Sequence, residues 1–284
     1  MRPFYWSVRR ELWENRSIVW APLLVAAGAL VGALVGVLVQ AHRLQDLPQL
    51  SATRLVKPFA LAPAPIMLTA FLVGVFYSLD ALYGERRDRS VLFWKSMPVS
   101  DRTTVLAKAS LPLVVLPSIA FALSVATVVV LLLLASAILP VMGANPAPLW
   151  SDLRLAQMPV VMLYGLVAHT LWWAPLYGWL LLVSAWAPRL PLLWAALPPI
   201  VLMALEGLAF GTSRLAEMLR YRVTGAMSEA FAAAAPAGDS EGIHWLSDLT
   251  PGRFLSQPGL WIGLAVTAAF LALAVRLRRD REAS

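Results

Sequence analysis

Read only as hydrophobic and polar positions, the chain divides into six long apolar runs separated by shorter polar stretches. The runs cover 17–39, 59–82, 105–139, 158–186, 190–210 and 259–277. Each approaches or exceeds the roughly 20 residues that a helix needs to cross a bilayer core. The pattern predicts an all-α polytopic membrane protein with six spans. Prolines sit early in two runs (Pro63 and Pro65; Pro112 and Pro117) and inside two others (Pro175; Pro198 and Pro199). Interior prolines predict kinks. The first run carries Gly28, Gly32 and Gly36, a spacing that lets a neighbouring helix approach closely.

The segments outside the runs have patterns of their own. In residues 1–16, Phe4, Val8 and Leu12 recur every four positions, with Tyr5 and Trp13 beside them and Arg2, Arg9, Arg10 and Arg16 elsewhere. This predicts a helix lying in the membrane interface, apolar face down; the plainer alternative is a basic leader that only sets topology. The run starting at Ser17 is too long for the core of a cleavable signal peptide and reads as an anchor. Residues 212–257 form the longest non-spanning segment. There Leu215, Leu219, Val223, Met227 and Phe231 recur every four residues, predicting a helix, before a flexible stretch from Ala232 to Gly242.

Composition fixes the class. Of 284 residues 60% are hydrophobic and 14% charged, well below the quarter or so usual in soluble domains, and mean hydropathy is +0.71. There are no cysteines, which excludes disulfides, thiolate metal sites and cysteine nucleophiles. Charge then sets orientation. The ends of the chain and the even-numbered loops hold 15 Lys and Arg, the other side 8, so the bias places both termini in the cytoplasm. These arginines flank spans and leave no basic stripe for nucleic acid.

Candidate chemistry is sparse. No phosphate loop, HExxH zinc motif or GxSxG elbow is present, so no catalytic residue and no metal ligand is assigned, and the chain is not expected to be an enzyme. Glu206 and Asp80 are the acids closest to the membrane. An intramembrane carboxylate is a functional candidate, although Glu206 lies near a span end and Asp80 has arginines within reach. His169 beside Trp172 and Trp173 reads as a packed polar residue rather than a metal ligand. These four residues Glu206, Trp172, Trp173 and His169 are the candidates for a substrate path.

The most informative stretch is 83–104 with the helix start that follows, YGERRDRSVLFWKSMPVSDRTTVLAK. It carries six basic residues in 26. Gly84 can break a helix, residues 86–96 can form a short one, Pro98 stops it, and Ser100 is suited to cap the next helix with Asp101 in its first turn.

This arrangement resembles the permease subunits of type-2 ABC transporters, a bacterial group that mostly exports. The resemblance rests on the aromatic and basic FYWSVRRELWENRS before the first span, on the loop running from Glu85 through Pro98-Val99-Ser100 to Lys108, and on a sizeable segment between the last two spans. It is specific mainly over Glu85–Lys108, where Ser90 stands in place of the usual glycine. The resemblance implies that 86–97 is a cytoplasmic coupling helix seated in a separate ABC-type ATPase subunit. Leu92, Phe93, Trp94 and Met97 would be its apolar anchors, and Glu85, Arg86, Arg87 and Asp88 would fix its register. It implies a second permease copy, ATP and Mg used by the partner subunit rather than this chain, a bacterial cytoplasmic (inner) membrane location, and 212–257 as an outer segment capping the exit path. An ion-coupled secondary transporter and a non-transporting membrane scaffold remain the alternatives.

Overall fold

A computed structural model describes residues 2–46, 57–88, 99–152, 157–231 and 246–280. Among them the chain is helical, with no strand beyond one isolated bridge between Phe231 and Leu249. In order come α1 (Arg2–Glu14), α2 (Ser17–Asp46), α3 (Lys57–Leu61), α4 (Pro63–Asp80), α5 (Tyr83–Arg87), α6 (Asp101–Ser110), α7 (Leu116–Ile138) and α8 (Ala147–Asp152). Then follow α9 (Met158–Trp186), α10 (Pro191–Phe210), α11 (Arg214–Ala230), α12 (Pro251–Ser256) and α13 (Pro258–Asp280).

Six segments are long and apolar enough to cross a membrane: Ser17–His42, Lys57–Arg87, Asp101–Met142, Met158–Trp186, Pro191–Phe210 and Pro258–Asp280. The chain is a multi-pass membrane protein by length and composition, and these are spans 1 to 6. Their residues explain their shapes. Ser100 caps span 3 by accepting the N–H of Thr103 at 3.2 Å. Pro112 then withholds a backbone donor, and the chain passes through one π-helical turn, Leu111–Val115, before α7 resumes. Span 2 breaks after Asp80 and restarts at Tyr83, upstream of the expected start at Arg86. The reversal between spans 4 and 5 is so tight that Leu190 adopts a left-handed φ of 48°.

Packing is uneven. Spans 1, 2 and 3 share two apolar clusters, one around Val37, Phe59, Leu131 and Leu139 and one around Ile18, Ile66, Leu111 and Leu116. Span 4 packs along span 6 through Leu182, Ala185 and Ala274. Span 5 is peripheral, and Ala195 is its one buried side chain. The glycine row of span 1 mostly faces outward. A side chain added at Gly28 or Gly32 would meet nothing within 4 Å, whereas at Gly36 it would meet Pro58 at 3.3 Å. Span 1 instead packs through Ile18, Ala26, Ala33, Val37 and Ala41.

The two helical stripes outside the spans both fall on helices, each only partly packed. In α1, Val8 and Leu12 pack against the bundle, while Phe4, Tyr5, Trp6 and Trp13 stay exposed. In α11, Leu215, Val223 and Met227 are exposed, and the helix seats itself through Gly225, Ala226, Glu229 and Ala230. Small residues let it lie close against span 4. Hydrophobicity therefore locates these helices, and Val8, Leu12 and Phe231 of the two stripes are among the residues that pack.

Candidate functional site

Both described ends of the chain meet at one end of the bundle, and the side chains that meet there are charged. Glu11 of α1, Glu85 of α5, Lys108 of α6 and Arg278 of α13 are 1%, 8%, 2% and 9% exposed. Lys108 donates to Glu11 at 2.8 Å and lies 3.1 Å from Glu85. Arg278 donates to the other oxygen of Glu85 at 2.7 Å and to Asp101 at 3.1 Å. Arg10 bonds Glu11 at 2.8 Å and Glu85 at 3.2 Å, and the hydroxyl of Tyr77 in span 2 donates to Glu11 at 2.7 Å. Charged groups are rarely this buried unless paired. Here three cations (Arg10, Lys108, Arg278) face three carboxylates (Glu11, Glu85, Asp101), and Glu14 lies 3.6 Å from Arg10 at the edge of the group.

The electrostatics follow from that geometry. Burial alone would push the Glu11 carboxyl up. Lys108, with hydrogen bonds from Lys108, Arg10 and Tyr77, more than offsets it and holds Glu11 below its ordinary value. The neighbouring Glu14, half-exposed, is raised by burial despite Arg10.

The other side of α5 is bolted to span 4. Ser184 accepts the backbone N–H groups of Leu82 and Tyr83, each at 2.9 Å, at the break within span 2. Arg86 donates back to the carbonyls of Ser184 at 2.7 Å and Ala187 at 2.9 Å, where span 4 ends. Adjacent residues Glu85 and Arg86 thus fasten one short helix to α1, to the start of span 3 and to the ends of spans 4 and 6.

The residues of the expected charged surface separate into two groups. Glu85 and Arg86 face the bundle. Arg87 and Asp88 face away and pair with each other at 2.9 Å, with Asp80 3.9 Å from Arg87. Leu92, Phe93, Trp94 and Met97 lie outside the described residues.

The expected substrate-path residues do not form one site. Glu206 accepts from the Thr212 hydroxyl at 2.6 Å and from the N–H groups of Arg214 and Leu215 at 2.9 and 2.8 Å. It caps the start of α11, a sufficient structural reason for a carboxylate there. Trp172 is fully buried beneath α11, against Tyr221 and Phe254. Trp173 and His169 stack on each other and pack on Phe71 of span 2. Among the described residues no group of three His, Cys, Asp or Glu side chains is placed to hold a metal ion.

Sequence reasoning missed Glu11, Tyr77 and Ser184 altogether and counted Lys108 and Arg278 only as basic residues. One signal was present: Glu11 lies at i+3 from Val8 and next to Leu12, a carboxylate on the apolar side of its helix. Comparison with protein-family models, with curated proteins and with solved structures finds no match to this chain.

Proposed function

We propose that this chain is the membrane-spanning permease subunit of an ATP-driven ABC transporter, working as an exporter with a separate ATPase subunit and a second permease copy. The observation that carries the reading is the double anchorage of α5 through Glu85 and Arg86. A loop that receives force from a partner must be rigidly joined to what it moves. Here the helix at the loop's base is joined to four other elements, so a displacement of α5 reaches spans 3, 4 and 6 and α1 together. The loop's resemblance to the type-2 permease motif and the absence of a phosphate loop in the sequence support the same division of labour. The Lys and Arg bias supports placing this end in the cytoplasm of a bacterial cell, with both termini there. Glu206's capping bonds count against proton coupling at that residue, and so against a secondary transporter built on it.

The test is uncoupling. In the reconstituted complex, Phe93→Ala or Trp94→Ala leaves membrane insertion intact and removes stimulation of the ATPase by transport. Unchanged stimulation contradicts the coupling role, and a partner without a nucleotide site favours the scaffold.

A further inference from the structure

Arg222, on α11, reaches between the middle of span 4 and the first turn of span 6, although α11 is not one of the six spans. Its guanidinium donates to the carbonyl of Trp172 at 3.3 Å and to that of Gly259 at 2.7 Å. Trp172 is 14 residues from each end of the helix Met158–Trp186, or about 21 Å from either end at the α-helical rise. The guanidinium also lies 4.6 Å from the centre of the Trp172 ring. Its seat depends on Gly263: a side-chain carbon there would come within 2.7 Å of one guanidinium nitrogen.

What this cation lacks is an anion. Among the described residues no carboxylate lies within ion-pair distance of it. Glu229, seven residues on and on the same face of the helix, is committed to the Tyr221 hydroxyl at 2.8 Å, to Gln257 and to Arg253 at 3.5 Å. Backbone carbonyls and a ring face compensate the charge only in part, and two of the five guanidinium N–H donors are used. Arg222 is half-buried rather than sealed, and Met218, Val223 and Met227 leave apolar surface exposed on the same helix. Partly buried charges among apolar and aromatic groups are ordinarily paired.

We propose that Arg222 is the recognition point for the anionic head, phosphate or carboxylate, of an amphipathic ligand whose apolar tail lies along α11. This deepens the transport reading by naming a substrate class. It rests on that reading only for the claim that the ligand is transported, since binding needs no ATPase.

The experiment titrates the full chain, purified in a neutral maltoside detergent, by calorimetry with dioctanoyl phosphatidic acid, dioctanoylglycerol and inorganic phosphate. Saturable binding of the phosphatidic acid is expected, with none for the neutral diacylglycerol. Arg222→Gln weakens it by about tenfold or more, while Arg222→Lys stays within about threefold. Gly263→Ala, which evicts the guanidinium but keeps its charge, weakens it as well. Equal binding of the neutral lipid, or unaltered binding by both Arg222→Gln and Gly263→Ala, overturns the proposal. Binding of inorganic phosphate as tight as that of the lipid overturns the amphipath assignment. If Arg222→Gln does not fold, the wild-type comparison and Gly263→Ala decide. A negative titration leaves the ATPase reading standing, and a missing ATPase leaves the binding result standing.

Discussion

Ser184 and Arg86 cap each other's helices. The Ser184 hydroxyl accepts the two N–H groups freed at the break within span 2, and Arg86 donates to the carbonyls freed at the end of span 4. Neither helix end could otherwise satisfy its backbone inside the bundle. Ser184→Ala leaves two buried donors without their acceptor and costs about 1–3 kcal/mol. Thermal unfolding in detergent should show it as a lower midpoint, and Ser184→Thr should recover part of the loss. An unchanged midpoint in Ser184→Ala would contradict the capping role.

The Glu11–Lys108 pair makes a sharper prediction. Removing one partner leaves an uncompensated buried charge, at about 3–5 kcal/mol, whereas removing both is far milder. Glu11→Gln and Lys108→Met should each destabilise strongly, and the double variant should be less destabilised than the sum. Additive losses in a double-mutant cycle would show that the two residues do not act as a pair.

Acid stability follows from the same carboxylate. Glu11 titrates below its ordinary value in the folded chain, so the unfolded state binds its proton first as pH falls. The stabilisation Glu11 provides is therefore complete above its unfolded value and lost as pH drops through the folded one. Unfolding midpoints measured from neutral pH to below pH 4 should fall on the acid side in the wild type. Glu11→Gln should start lower and fall less. Parallel curves would remove Glu11 from the account.

Glu206 should behave as a cap rather than a proton carrier. Glu206→Ala strips three acceptor contacts from the start of α11 and should cost about 1–2 kcal/mol, seen as faster proteolysis within 212–257. Glu206→Gln keeps one carbonyl acceptor and should fall between. Under the ATP-driven reading, dissipating the proton gradient leaves transport in Glu206→Gln at the wild-type level. A proton-gradient dependence abolished by Glu206→Gln would restore the secondary-transporter alternative.

The spans were readable because a bilayer demands length and apolarity, and both are properties of contiguous sequence. Span 4 begins at Met158 and ends at Trp186 as the run of apolar residues does. The hub was not readable, because the bonds that join its helices link residues 66 to 193 positions apart. Arg278 counts in sequence as one of several tail arginines, and nothing local separates it from Arg279. Glu85 was legible as a residue of a recognisable loop, but not as one turned inward. The packed face of α11 was not legible either: it packs largely by small residues at close range, a surface that hydrophobic periodicity does not weigh. The glycines of span 1 show the converse, since a familiar spacing lies mostly on the open side of the helix.

The central claim is that the loop built on Glu85 and Arg86 meets an ATPase. It is tested most directly by solubilising the chain from its native host in mild detergent and identifying what co-purifies. The account predicts an ABC-type ATPase in equal amount, lost when Phe93 and Trp94 are changed to Ala while the chain still inserts and folds. Recovery of the chain alone, or with a partner that has no nucleotide site, would contradict it.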